Sequence, residues 1–153
     1  MKTIIQINGK DVEITLTKEQ VAKINKDNRT IQEKIQTPED ALKELGESDE
    51  DVIQYRKLQS IYGLAEYILN HQLAIIIIKA LNEGWIGDWG NSNEYKYFIW
   101  WNMDKKALSY DRCDYWGSYS LTSARLCLKN KELCKYIGGS ENFIPVFKSF
   151  MQQ

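Results

Sequence analysis

Few residues in this chain have the types and spacing that enzymatic chemistry requires. Its 153 residues include one histidine, His71, which lies in a long apolar segment with helical periodicity. A histidine there is more often a helix-surface or hydrogen-bonded core residue than a general base, and nucleophilic catalysis needs a base beside its nucleophile. Cys113 and Cys127 fall in predicted strands, where a free cysteine behaves as a small apolar side chain. We therefore expect no enzymatic activity and no catalytic residues.

Oxygen-bearing side chains cluster in two places, and neither cluster has the spacing of a calcium loop. The segment 88–94 reads DWGNSNE, which departs from the EF-hand pattern and lacks its sixth-position glycine. An Asx-rich turn that leads into a strand accounts for the same residues. Asp104, Asp111 and Asp114 could hold a metal ion only if the fold brought them together. No glycine-rich phosphate loop precedes a helix, so we expect neither a metal nor another cofactor.

Aromatic residues are concentrated between residues 73 and 119, a segment that contains all five tryptophans. A strand over 95–101 would place Lys96, Phe98 and Trp100 on one face, because side chains alternate along a strand. If that face is exposed, these three and two further basic residues form a candidate binding surface: Lys96, Phe98, Trp100, Arg112 and Arg125.

Three interpretations of this face remain open. The simplest is that the C-terminal helices or the N-terminal hairpin cover it, which would leave no binding surface. An exposed face would suit a protein partner, since Trp, Tyr and Arg dominate interface hot spots. It would also suit single-stranded nucleic acid, whose bases stack on aromatic rings while basic side chains contact phosphates. We expect a protein before a nucleic acid, because the net charge of −1 provides no overall attraction to phosphates.

The N-terminal third has clear signals for where its elements begin and end. Alternating apolar residues on both sides of Asn8-Gly9 predict a β-hairpin, since Asn-Gly favours a tight two-residue turn. Thr17 and Gln20 form a capping box that begins a helix, and residues 25–30 weaken that helix. A second helix is expected from Thr37-Pro38 to Gly46. The acidic stretch 39–51 predicts a boundary, with a hairpin-helix unit over 1–46 and the main domain over 47–153.

The main domain is predicted to place a meander between helices. Apolar residues at three- and four-residue steps predict a long helical region over 48–83, divided at Gly63 or Asn70. Three antiparallel strands are then expected, over 95–101, 108–116 and 123–128, with a turn at 104–106 between the first two. Two short helices should follow, beginning at Asn130 and Ser140, with Pro145 near the start of the second. The predicted fold class is α+β.

The second half of the chain contains a series of motifs in a characteristic order. They are ALNEGW at 80–85, DW at 88–89, Asn91 and Asn93, YKYF at 95–98, SARLCLK at 123–129, and Glu132-Leu133. This series resembles a widespread set of small uncharacterised bacteriophage and prophage proteins, over about residues 64 to 150. The chain has Gly87 where those proteins usually have proline. The resemblance implies a phage or prophage origin but brings no activity with it.

The remaining sequence features favour an intracellular binding protein. Three cysteines, none in a C-x-x-C pair, fit a reducing compartment. No signal peptide is visible, and the apolar run from Leu73 to Leu81 is too short to span a bilayer. We therefore expect a cytoplasmic, non-enzymatic accessory protein that engages a host or phage protein and no membrane. The alternative is single-stranded nucleic-acid binding through an aromatic and basic sheet face.

Overall fold

The computed structural model describes residues 2–7, 9–104, 108–120 and 122–152. This part of the chain is α+β, as predicted, and contains two separate two-stranded antiparallel sheets. The strands are β1 (Lys2–Ile7), β2 (Lys10–Thr15), β3 (Lys96–Asn102) and β4 (Ser109–Trp116). The α-helices are α1 (Lys18–Asp27), α2 (Ile31–Lys34), α3 (Pro38–Leu45), α4 (Glu50–Gln59), α5 (Glu66–Leu81), α6 (Lys131–Gly138) and α7 (Ile144–Met151).

Threonine caps begin the first three helices. Thr17, Thr30 and Thr37 each accept a hydrogen bond from the backbone N–H three residues later, and the side chain of that residue reaches back to the cap. Such capping boxes satisfy N–H groups that have no partner within the helix. The predicted helix starts at Thr17 and Thr37 are confirmed, as is the interruption of the first helix. The N-terminal hairpin is also confirmed, although Asn8 of its turn lies outside the described residues.

The long apolar region forms two helices, α4 and α5, as the position of Gly63 predicts. Gly63 has a φ of 75°, in the left-handed region that favours glycine. Most side chains from Leu73 to Leu81 are buried, so α5 is a core helix despite its four consecutive isoleucines. It is 16 residues long. Among the described residues, no helix has both the length and the apolar character needed to cross a bilayer.

The hydrophobic core reaches into the region predicted as a separate N-terminal unit. Ile35, Ala41 and Leu42 are buried in the same cluster as α5. The Tyr136 hydroxyl of α6 also donates to the carbonyls of Gln32 and Ile35, at 2.8 Å in each case. The unit over 1–46 stays a prediction, and residues of its last part share the core cluster of the helices that follow.

The predicted three-stranded meander is confirmed for two of its strands. β3 and β4 pair in the antiparallel sense, with a register shift between Trp100 and Trp101. The third predicted strand, over 123–128, is instead a short 3₁₀ helix (Ala124–Leu126) followed by one antiparallel bridge between Leu128 and Tyr97. The predicted turn at 104–106 lies mostly outside the described residues.

Both C-terminal helices are present. Asn130 caps α6 by accepting from the Leu133 N–H at 2.9 Å, which confirms the predicted start. α7 begins at Ile144, four residues after the predicted start at Ser140, with Pro145 in its first turn. Because proline lacks an N–H, the first turn is where a helix tolerates it best. α7 packs on α5 and so closes the core beside β3.

Candidate binding surface

Cross-strand pairing assigns the side chains of β3 to two faces. Residues directly opposite each other share a face. Tyr97, Ile99 and Trp101 pack against the hydrophobic core. The other face carries three pairs, which are Lys96 with Trp116, Phe98 with Asp114, and Trp100 with Arg112. The predicted binding residues Lys96, Phe98 and Trp100 therefore share one face, but they differ in exposure.

Lys96 is not a surface residue. Its side chain is 0% exposed, and its ammonium donates to the backbone carbonyls of Asp88, Asn91 and Glu94. The Asn91 and Glu94 oxygens lie 3.1 and 2.9 Å away. The Trp89 ring centroid lies 5.6 Å from the same nitrogen, within the range of a cation–π contact. The prediction that Lys96 belongs to an exposed binding surface is therefore wrong, because the preceding loop folds back over it.

The loop over 88–94 is built from Asx turns, as predicted. Asp88 accepts from the Gly90 N–H at 2.9 Å, and Asn91 accepts from the Asn93 N–H at 3.0 Å. Its inward carbonyls surround the Lys96 ammonium in the way that oxygen ligands surround a metal ion. Within the described residues, no group of three His, Cys, Asp or Glu side chains is arranged to bind a metal. The positive group that these carbonyls surround is the Lys96 ammonium.

Gly87 lies directly beside the buried lysine side chain. A Cβ atom at Gly87 would lie 3.0 Å from Cγ and 3.2 Å from Cε of Lys96. Contacts that short would require the lysine side chain to shift by a few tenths of an ångström. The absence of a side chain at Gly87 is therefore matched to the buried Lys96.

Phe98 is also covered, at 5% exposed. It lines a small cavity together with Thr122 and Leu126, from the segment that follows β4. Thr122 and Leu126 thus lie beside Phe98. Phe98 does not form part of an exposed surface, which corrects the second of the predicted site residues.

Trp100 and Arg112 form the open end of the same face. Trp100 is 38% exposed, and the Arg112 guanidinium carbon lies 4.9 Å from its ring centroid. Arg112 also donates to the Asp111 carboxylate at 2.8 Å. Trp116 and Met103 are exposed nearby. Two of the five predicted residues thus meet as expected, in an aromatic and cationic contact.

An apolar groove adjoins this open end. Its volume is about 270 Å³, and we call it the Trp100 groove. It is lined by Phe98, Ile99, Trp100, Trp101, Met103, Trp116, Thr122 and Met151. Sequence reasoning missed Met103, Trp116 and Met151. The strand register pairs Trp116 with Lys96 and so does not by itself place it beside Trp100, and Met151 reaches the groove only through the packing of α7.

Arg125, the last predicted residue, lies at a different site. Its guanidinium contacts the Asp51 carboxylate at 2.6 Å, and the Lys79 ammonium lies 2.8 Å from the same carboxylate group. Burial raises the pKa of Asp51, but Lys79 and Arg125 lower it more, so that its pKa is below the usual range. These groups border a cleft of about 350 Å³ with Trp85 and Trp89. Arg125 therefore joins the 3₁₀ helix to α4 and α5 and does not belong to the Trp100 groove.

The remaining reactive side chains show no arrangement for catalysis within the described residues. His71 is exposed and makes an edge-to-face contact with Phe150, with ring centroids 5.2 Å apart. Burial raises the pKa of the three thiols, Cys113, Cys127 and Cys134, above that of an ordinary cysteine. The thiolate is the nucleophilic form, so these cysteines are poor nucleophiles at neutral pH.

Comparison with known proteins found no match to a protein-family model, to a curated protein or to a solved structure. No matched fold supports an analogy, so the function is inferred from the Trp100 groove and its surroundings.

Proposed function

We propose that this chain is a cytoplasmic, non-enzymatic binding protein of phage or prophage origin that engages a protein partner through the Trp100 groove. The observation that carries this proposal is the Trp100 groove itself, where the exposed side chains of Trp100, Trp116 and Met103 border an apolar depression. Exposed large apolar side chains grouped around one concave site are typical of binding sites in folded proteins.

The composition of the groove favours a protein partner. Tryptophan and arginine are the residues most enriched at interface hot spots, and Arg112 stacks on Trp100 at the rim. The Arg112 guanidinium is paired with the Asp111 carboxylate, which neutralises its charge. It therefore offers a partner a planar surface rather than a free charge. Such a rim excludes water around an apolar anchor without imposing strong charge selectivity.

Single-stranded nucleic acid is the alternative ligand, and the geometry gives it less support. Lys96, which was expected to contact phosphates, is buried and bound to carbonyls. Arg125 is paired with Asp51, and Arg112 with Asp111. Binding to a phosphate backbone depends on basic groups that neutralise phosphates and release counterions. The stacking of bases on Trp100 and Trp116 would have to supply nearly all of the affinity.

The proposal predicts that substitutions in the Trp100 groove weaken the binding of a protein partner, whereas a substitution far from the groove does not. Proteins captured on the immobilised chain from host and phage-infected lysates would be identified, purified and titrated individually. We expect Trp100→Ala with Trp116→Ala to weaken binding by at least about tenfold, since truncating one hot-spot residue costs 2 kcal/mol or more. Tyr62→Ala is the matched control, because Tyr62 is a fully exposed aromatic residue in the α4–α5 connection.

Two outcomes would contradict this proposal. The first is equal affinity of every purified candidate for the wild type and the groove variant. The second is salt-sensitive quenching of tryptophan fluorescence by single-stranded DNA or RNA that the groove variant abolishes, which would establish the nucleic-acid alternative. Circular dichroism of each variant would show that loss of binding does not reflect loss of folding.

A further inference from the structure

The outer edge of β3 is only partly paired. Tyr97 exchanges two backbone hydrogen bonds with Leu128, at 3.0 and 2.9 Å, on the edge away from β4. Backbone groups alternate in direction along a strand, so those of Ile99 and Trp101 point to the same outer edge as those of Tyr97. Across the described residues, neither Ile99 nor Trp101 has a backbone partner on that edge.

The backbone partners that Ile99 and Trp101 lack would come from an extension of the strand pairing between Leu128 and Tyr97. Extension of the antiparallel pairing from Leu128 would place Leu126 opposite Ile99, and Ala124 opposite Trp101. Those two residues instead form the two ends of the 3₁₀ helix. The Arg125–Asp51 ion pair, at 2.6 Å, ties this helix to α4 and so holds it away from the strand register. One residue of a third strand is thus in place, and no described residue pairs with the two positions next to it.

These two positions lie at the Trp100 groove. Ile99 and Trp101 line that groove and also a second cavity of about 50 Å³, bordered by Phe147 and Phe150. We infer that the partner supplies an extended segment that pairs with the β3 edge at Ile99 and Trp101 and continues the interface begun by Leu128. This inference rests on the proposed function and names the form in which the partner binds.

Hydrogen bonding selects an extended segment over a helix. The N–H and C=O groups of Ile99 and Trp101 need partners when a bound protein excludes water from them. A helix uses its own backbone groups internally and cannot supply these partners, whereas a strand can. The apolar cavities of about 270 and 50 Å³ beside the edge would accept apolar side chains of the segment.

Amide hydrogen exchange on the full chain tests whether the backbone N–H groups of Ile99 and Trp101 are unpaired. Phe98 and Trp100 face β4 in the ladder and Tyr97 is bonded to Leu128, so their amides should exchange slowly. The amides of Ile99 and Trp101 should exchange about tenfold or more faster, because no backbone hydrogen bond from a described residue protects them on the outer edge. Slow exchange at Ile99 and Trp101 in the free chain would overturn the inference, since the edge would already be paired.

A short extended peptide tests whether the edge accepts a strand. The probe is acetyl-Thr-Val-Thr-Val-Thr-amide, added in excess and followed by the same exchange experiment. We expect exchange at Ile99 and Trp101 to slow about tenfold when the peptide is present at ten times its dissociation constant. The control peptide has proline in place of both valines and cannot donate at those positions. Absence of protection by the first peptide up to its solubility limit, or equal protection by both, would contradict strand addition.

The two proposals can fail separately. Protected edge amides combined with loss of partner binding in the Trp100→Ala, Trp116→Ala variant would leave the groove as a binding site and exclude strand addition. Protection by the peptide combined with equal partner affinity for wild type and variant would leave an edge that accepts strands but a groove that does not determine partner binding.

Discussion

The two ends of one sheet face have different surroundings although they have similar residues. Lys96 and Phe98 are buried toward one end of β3, whereas Trp100 is exposed toward the other, within a single β-ribbon. A basic or aromatic side chain stands at each of these positions, and the strand period is the same throughout. The segment 88–94, directly before the strand, covers Lys96, and residues 122 and 126 lie beside Phe98, whereas Trp100 is left exposed. Coverage of a face is therefore decided by where loops pass and not by the strand itself.

Replacement of Phe98 and of Trp100 by alanine should give the largest difference in stability. We expect Phe98→Ala to lower the free energy of unfolding by about 3–5 kcal/mol, as for other buried aromatic residues. Trp100→Ala should lower it by about 1 kcal/mol or less, because surface substitutions and exposed cation–π contacts contribute little. Urea denaturation of both variants measures this contrast. Equal losses would mean that the two ends are packed alike.

Sequence reasoning succeeded where the determining contacts are local. The capping boxes at Thr17 and Thr37, the break at Gly63 and the alternation of β3 all depend on residues within a few positions of each other. The alternation correctly indicated that Lys96, Phe98 and Trp100 share a face. It could not indicate which of these three side chains are covered, because coverage depends on the tertiary course of the loops beside the strand.

The third strand shows how a tertiary contact overrides local propensity. Residues 123–128 have a strand-like pattern, yet Arg125 pairs with Asp51, 74 positions away. The buried Asn82 side chain also donates to the Cys127 carbonyl at 2.9 Å and accepts from the Lys129 N–H at 3.1 Å. These contacts fix the segment as a 3₁₀ helix and an irregular strand end. No periodicity in the sequence contains this information.

Replacement of the buried ammonium should give the second-largest effect. We expect Lys96→Met to lower the free energy of unfolding by about 2–3 kcal/mol, because carbonyls of Asp88, Asn91 and Glu94 would lose their shared donor. Methionine has a similar length, so the loss of the charge and its hydrogen bonds is isolated from a loss of volume. Lys148→Met, at an exposed position of α7, is the matched control and should change stability by no more than about 0.5 kcal/mol.

Local hydrogen exchange would sharpen the interpretation of the Lys96 variant. The loop over 88–94 should lose protection in Lys96→Met while α5 keeps it, since the ammonium organises the loop and not the helical core. An unchanged loop in the variant would show that the Asx turns at Asp88 and Asn91 suffice to hold it.

The smallest expected effect concerns the ion pair that anchors the covering segment. Asp51→Asn should lower the free energy of unfolding at pH 7 by roughly 1–2 kcal/mol, since hydrogen bonds between Asp51 and the charged groups of Lys79 and Arg125 are weakened. The pKa of Asp51 is lowered in the folded state, so its ionised form stabilises the fold above the pKa of an unfolded aspartate. This contribution is lost as the pH falls through the lower, folded-state pKa.

The pH dependence separates an electrostatic role of Asp51 from a packing role. Protonated aspartate and asparagine are both neutral and similar in shape, so wild type and Asp51→Asn should approach equal stability in acid. Urea denaturation at pH 7 and at successively lower pH measures the difference. A difference that persists unchanged in acid would indicate that the side chain acts through packing.

The same substitution tests what holds the 3₁₀ helix in place. Since Arg125 holds this helix through the Asp51 carboxylate, loss of the ion pair should free residues 124–126 to pair with Ile99 and Trp101. Slower exchange of those two amides in Asp51→Asn would then show the chain completing its own third strand.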